Sequence, residues 1–239
     1  MTGITVQDLS FSHAAKQALD AVSFDVPQGS FCALLGPNGA GKSTLFALLT
    51  RLYTTQSGQI AIAGHDLRAA PLQALAAMGV VFQQQTLDLD LTVAANLRYF
   101  AALQGLSGRE AATRIGAALE RLDMAERARE PVRNLNGGHR RRAEIARALI
   151  HRPKVLLLDE PTVGLDAAAR AAITGHVHDL ARDEGLTVLW ATHLTDEVRA
   201  DDQLIVLHRG RVLAQGPCRD ITQGAALAET FLTMTGAEA

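Results

Sequence analysis

Cysteine is scarce in this chain. Two occur among 239 residues, Cys32 and Cys218, with no CxxC spacing. That excludes a disulfide framework and a cysteine zinc site, and it fits a reducing compartment. Long apolar runs are absent as well. Runs such as "VLLL" at 155–158 have the length of buried strands, far below the ~20 residues that span a bilayer. The start, "MTGITVQDLSFS", has neither a basic n-region nor an apolar h-region, so it does not read as a signal peptide. The formal net charge of −2 leaves no global basic field for nucleic acid. The expectation is a soluble chain with no direct membrane span and no nucleic-acid partner. Any membrane role requires docking on something else that spans.

What is present is globular composition, with 48% hydrophobic and 20% charged residues. The length allows one ordinary domain or a core with an inserted subdomain. "ITVQDLSFS" and "ALDAVSFDV" alternate as strands joined by a polar turn. "SFCALLG" reads as a buried strand. "GKSTLFALLTRLY" has helical spacing, with Leu45, Leu48, Leu49 and Leu52 expected on one face. "GQIAIAG" and "GVVFQ" are further strands. Residues 84–150 are mostly helical, and then "KVLLLDE", a helix after Asp166 and "TVLWATH" follow. "QLIVLHRG" and "RVLAQG" read as a hairpin turning near Arg209-Gly210, before an amphipathic helical tail. Continuous apolar strands alternating with helices predict an α/β fold whose sheet is largely parallel and covered on both faces. The expected organisation is a core of 1–83 and 151–216, an inserted helical subdomain of 84–150, and a tail of 217–239.

The chain holds three lysines, and one lies in "GPNGAGKST", Gly36 to Thr44. This matches G-x-x-x-x-G-K-S/T directly after a strand and before a helix, the context the motif requires. Glycines let successive N–H groups aim at phosphate oxygens, and the helix dipole adds positive potential there. Gly36, Asn38, Gly39, Gly41, Lys42, Ser43 and Thr44 are therefore candidates for binding a nucleotide. Lys42 would bridge β- and γ-phosphates, and Ser43 would ligate Mg²⁺. Downstream, "VLLLDEP" ends an apolar strand in two carboxylates. Asp159 would hold Mg²⁺, and Glu160 could polarise an attacking water.

In these motifs and their order the sequence resembles the ATP-binding subunits of ABC transporters over nearly its whole length. "LNGGH" at 135–139 falls where that family has its signature, commonly LSGGQ. Gly164 to Asp166, "GLD", resembles the D-loop, His193 the switch histidine, and Gln83 the Q-loop glutamine. The resemblance implies a P-loop NTPase of the ABC cassette type, with an antiparallel β-subdomain beside the parallel core. It implies Mg²⁺-dependent ATP hydrolysis. Lys42 would neutralise phosphate charge, and Ser43, Gln83 and Asp159 would organise Mg²⁺. Glu160 would act as general base, and His193 would hold the γ-phosphate.

It also implies that two copies close head to tail over two ATP molecules. Asn136, Gly137 and Gly138 of one copy would meet the γ-phosphate held by the other. Two positions depart from the signature. Asn136 stands for the usual Ser, and both are good N-caps. His139 stands for Gln, which removes the reciprocal side-chain bond of a capping box. Arg140, Arg141 and Arg142 sit just inside this helix, where its dipole opposes cations. They could add potential near the incoming phosphate, but a charge run more often lies on a solvated face. His176 and His178, two apart on a helix, face different ways and read as incidental.

A third departure concerns adenine, which the family stacks on an aromatic residue about five before an "AL". That position is His13, with Phe11 nearby. The segment "LDLDLTVAANLRYFAALQGL" resembles bacterial exporters of the drug-resistance, nodulation and sodium-extrusion type. "LNGGHRRR" also resembles ATPases associated with pyrroloquinoline-quinone-dependent alcohol oxidation. The expected partners are separate transmembrane permease subunits, docked around 83–97, and a second copy of the chain. The expected location is cytoplasmic, on the inner face of the membrane. The alternative is a non-transport ABC ATPase on a ribosome or DNA, but such chains usually carry two cassettes or a long coiled coil.

Overall fold

The computed structural model describes residues 2–14 and 16–236. Alternating sequence near the start forms β1 (Thr2–His13) and β2 (Lys16–Pro27), an antiparallel pair. With β4 (Gln59–Ile62) and β5 (His65–Asp66) they make a four-stranded sheet ordered β2-β1-β4-β5.

The continuous apolar runs become the second sheet. Its strands are β3 (Phe31–Leu35), β6 (Met78–Val81), β7 (Val155–Asp159), β8 (Thr187–Thr192), β9 (Gln203–His208) and β10 (Arg211–Pro217). Their order is β10-β9-β3-β8-β7-β6, and every pairing is parallel except that of β9 with β10. Every residue of β3, β7 and β8 is buried. The alternation along β7 explains this. Leu156 and Leu158 enter one core layer with Ile145, Ile173 and Trp190. Val155 and Leu157 enter another with Leu45, Phe46 and the first sheet. With both faces covered, no polar residue fits in the middle of such a strand.

The helices are α1 (Lys42–Leu49), α2 (Pro71–Ala76), α3 (Val93–Leu103), α4 (Gly108–Arg121), α5 (Gly137–Leu149), α6 (Ala167–Glu184), α7 (Cys218–Thr222) and α8 (Leu227–Thr235). No helix among the described residues is long and apolar enough to cross a membrane.

Two expectations need correction. Leu52 is 66% exposed and not on the buried face of α1. That helix stops at Leu49, where the Thr50 hydroxyl bonds the Phe46 carbonyl and Arg51 turns left-handed at φ +60°. His178 is not incidental. Its buried ring stacks on Phe31 at 3.7 Å, and Nε2 lies 3.0 Å from both Asp202 carboxylate oxygens, joining α6 to β3 and to the residue before β9.

Candidate nucleotide-binding and catalytic site

Parallel strands end on the same side of a sheet, and their register decides which loop ends meet. Leu35 pairs with Thr192, and Asp159 pairs with Ala191. The loop after β3, the carboxylates ending β7 and His193 after β8 are thereby brought to one edge. Gln83 joins them, two residues beyond the end of β6.

The phosphate loop is fixed by contact. A Cβ on Gly36 would lie 2.4 Å from the Leu207 carbonyl, so no side chain fits there. Gly41 caps α1 at φ +110°, and no side chain caps that helix. The first N–H groups of α1 are left to an anion at the helix N-terminus. Lys42 Nζ is turned inward, donating to the Gly36 carbonyl at 2.7 Å and the Pro37 carbonyl at 3.3 Å.

Glu160 is where the groups converge. Lys42 Nζ is 3.1 Å from Oε1, His193 Nδ1 is 3.5 Å from Oε1, and Gln83 Nε2 donates to Oε2 at 3.3 Å. The backbone of Glu160 is left-handed at φ +46°, rare for a residue with a side chain. Such strain is kept where the surroundings over-determine it, as at functional sites. Here the Glu160 N–H is tied to the Ala191 carbonyl at 3.0 Å. Asp159, one residue back, is 6% exposed, and its Oδ1 is buried without a partner. Burial, reinforced by the Glu160 charge, pushes its carboxyl up to about 6, while Lys42, Ser43 and Arg141 pull the other way.

A cleft of ≈ 550 Å³ opens over the loop. Of the residues singled out in the sequence, His13, Asn38, Gly39, Gly41, Lys42, Ser43, Thr44, Gln83 and Glu160 line it. His13 Nε2 is 3.2 Å from the Thr44 hydroxyl. Phe11 lies outside the lining and stacks on Tyr53 at 5.4 Å. Lys16 and Arg209 also line the cleft, and sequence reasoning missed both. The rarity of lysine was the available signal for Lys16. Arg209 had none, because a basic residue at a hairpin tip is ordinary.

Asn136, Gly137 and Gly138 are not in this cleft. They open α5, where the Asn136 carboxamide oxygen accepts from the His139 N–H at 2.8 Å, so the cap survives the exchange for Ser. The glycine pair has a reason within its own chain. A Cβ on Gly137 would meet Leu165 at 3.0 Å, and one on Gly138 would meet Ala169 at 3.1 Å. Burial, with the Arg127 and Arg142 charges, lowers the His139 pKa, which favours a neutral ring in place of the usual neutral Gln.

The solvated-face expectation fails at Arg141, which is 5% exposed. It donates to the Phe82 carbonyl at 2.7 Å, the Gln83 carbonyl at 2.8 Å and Glu144 at 2.8 Å. Arg140 bonds the carbonyls of Val132 and Arg133. Arg142 is half-buried, 4.0 Å from Asp123. Arg140 and Arg141 are answered mostly by neutral backbone carbonyls. These carbonyls have no regular ladder to accept from, and the guanidinium groups supply the donors.

A phosphate loop, a terminal acidic pair and a switch-like histidine on one parallel sheet define a P-loop nucleotide hydrolase. The family model described as "ABC transporter" matches residues 19–163, and the chain belongs to that family. It is 38% identical over 221 residues to daunorubicin resistance ATP-binding protein DrrA3 of Streptomyces coeruleorubidus, covering 92% of this chain and 70% of that one. It is 39% identical to Nod factor export ATP-binding protein I of Neorhizobium galegae, covering 90% of this chain and 62% of that one. A solved ATP-binding subunit of an ABC transporter superposes with a TM-score of 0.84 at 30% identity, covering 98% of this chain and 99% of that one. A bacterial ABC transporter cassette solved as a dimer gives 0.80 at 26% identity, covering 90% and 99%. The chain is an ATP-binding, ATP-hydrolysing subunit of the ABC type.

Proposed function

We propose that Glu160 is the general base and that two copies of this chain close head to tail around ATP to drive export through separate transmembrane subunits. The convergence of Lys42, Gln83 and His193 on Glu160, beside the open N-terminus of α1, carries the reading. The N–H groups of the phosphate loop and Lys42 would take the β- and γ-phosphates. His13 would lie against adenine, with Lys16 and Arg209 adding positive charge along the same cleft. Glu160 would orient the water, and His193 and Gln83 would hold the carboxylate in place. Mg²⁺ would neutralise developing charge on the phosphates. The buried, unpartnered Oδ1 of Asp159 beside Ser43 fits a cation, and Gln83 would share its water. Positioning and electrostatics supply most of the catalysis in such chemistry.

Three observations support the wider reading. Asn136, Gly137 and Gly138 sit at a capped helix end outside the cleft of their own chain, as a surface for a second chain's phosphate would. Leu89, Leu91, Tyr99 and Leu103 are 41–62% exposed on the helical block, an apolar face suited to a membrane subunit. Export is favoured by the similarity to a Nod factor export ATP-binding protein. The location that follows is the inner face of a membrane, held there by protein contact.

The test is light scattering of Glu160→Gln with and without ATP. The expected result is an ATP-dependent dimer that Gly137→Asp abolishes. A Glu160→Gln chain that binds ATP yet stays a monomer, alone and with its membrane partner, would overturn the head-to-tail reading.

A further inference from the structure

Gln83 reaches Glu160 from a stretch with no regular structure. Residues 82–86 follow β6 as bends and coil, so their polar backbone groups need partners from elsewhere. One face of α5 supplies them. Arg141 spans the successive carbonyls of Phe82 and Gln83 with its two terminal nitrogens. Glu144 accepts the Thr86 N–H at 2.6 Å. Arg147 donates to the Thr86 carbonyl at 3.2 Å and to its hydroxyl at 2.6 Å. Three apart along the helix, these residues share a face. Their exposures are 5%, 1% and 5%. Burying three charges carries a desolvation cost, and a hydrophobic contact could close the same space without it. A planar fork across two carbonyls adds something a hydrophobic contact cannot, a fixed peptide orientation.

We infer that Arg141 is a positioning residue for Glu160, acting through the backbone of Gln83. The inference rests on Glu160 and Gln83 having the roles proposed above. Arg141 does not line the cleft; apart from its charge, which acts on Asp159, it reaches the chemistry through what it holds. Holding both carbonyls sets the direction in which the Gln83 carboxamide leaves the chain, and that carboxamide meets Glu160 Oε2. Gly137 lies about one helical turn from Arg141. The glycine pair and Gln83 are thereby tied to the same helix.

A double-mutant cycle on the full chain tests this, read by steady-state ATP turnover. Arg141→Met with Glu144→Gln removes the fork without stranding a buried carboxylate, and it keeps an acceptor for the Thr86 N–H. The expected kcat falls about tenfold to a hundredfold, the scale of an ångström misplacement in a site. KM for ATP stays within about twofold, since the nucleotide contacts are untouched. In a Gln83→Ala background the same two changes lower kcat by less than about twofold, because the group they position is gone. Arg141→Lys keeps charge beside Glu144 but loses the fork. It is expected to lose kcat in the unaltered background while unfolding near the wild-type temperature.

Losses that multiply across the two backgrounds would overturn the inference, as would an unchanged kcat in the paired variant. If the paired variant fails to fold, the Arg141→Lys cycle against Gln83→Ala decides by the same criterion. Glu160→Gln separates the two kinds of failure. Full turnover there overturns the site assignment itself. Lost turnover there, with normal turnover in the Arg141 variants, overturns only the role of Arg141.

Discussion

Lys42 Nζ lies 3.1 Å from Glu160 Oε1, with the two side chains 5% and 10% exposed. Lys42 thus serves the carboxylate and is also the residue expected to serve phosphate, so ATP and Glu160 compete for one ammonium. If Glu160 is the base proposed above, Glu160→Gln should lower turnover about a hundredfold or more. Without nucleotide it should also lower stability by about 1–3 kcal/mol, since a buried cation loses its counter-charge. Saturating ATP should restore the unfolding midpoint, because phosphate replaces the lost partner. Thermal melts with and without ATP check this, and an equal deficit in both would refute it.

Asp159 gives a pH prediction. Its carboxyl is pushed up to about 6 from 3.8, first by burial and then by Glu160. Between those values the folded chain holds a proton that the unfolded chain has released. This group therefore makes stability fall as pH rises from 3.8 to about 6, with no further change above. Asp159→Asn should remove that slope in metal-free protein. Mg²⁺ must displace the same proton, so its affinity should weaken as pH drops through about 6. Melting curves that run parallel for both proteins across this window would sink the idea.

Glu197 supports the turn after Glu160. It accepts hydrogen bonds from the Thr162 hydroxyl and, at 2.9 Å, from Trp190 Nε1, and all three residues are buried. Glu197→Ala would strand two buried donors, at about 1–3 kcal/mol each. It should also slow turnover, because Thr162 is two residues from Glu160. Glu197→Gln keeps one acceptor oxygen and should recover most of the stability. Urea midpoints for the two variants give the comparison, and equal losses would show that packing, not hydrogen bonding, sets the cost.

The docking face can be tested apart from catalysis. Tyr99 and Leu103 are each 62% exposed on α3 and lie outside the cleft. Tyr99→Asp with Leu103→Asp should leave ATP-dependent dimerisation of the Glu160→Gln chain intact. The same pair should reduce co-purification with membrane subunits from detergent extracts by about tenfold or more, the effect of losing an apolar anchor. Undiminished recovery would place the contact elsewhere on the chain.

The parts of the site legible in sequence were those written contiguously. "GPNGAGKST" and "VLLLDEP" each combine a buried strand with the polar group it delivers, so local pattern and chemistry coincide. Arg141 was not legible, because a triple arginine says nothing about which member faces which neighbour. Only the packing of α5 against residues 82–86 turns one of the three inward. Lys16 and Arg209 reach the cleft from β2 and from the turn between β9 and β10, nearly two hundred residues apart in the chain. Glu197 was hidden in a segment whose polar residues resemble any loop. Leu52 kept the helical period after the helix had ended, since periodicity carries no stop signal and the reversal at Arg51 is a backbone event.

The strand order has a consequence for how the chain is made. β3, which carries the phosphate loop, pairs with β8 and β9 among the described residues. Those strands occupy residues 187–192 and 203–208, far along the chain from the loop. A ribosome releases the loop well before these sheet neighbours, and parallel pairing over such separations forms slowly. Until β8 and β9 emerge, the nascent chain carries the written nucleotide motif without the strands that flank it.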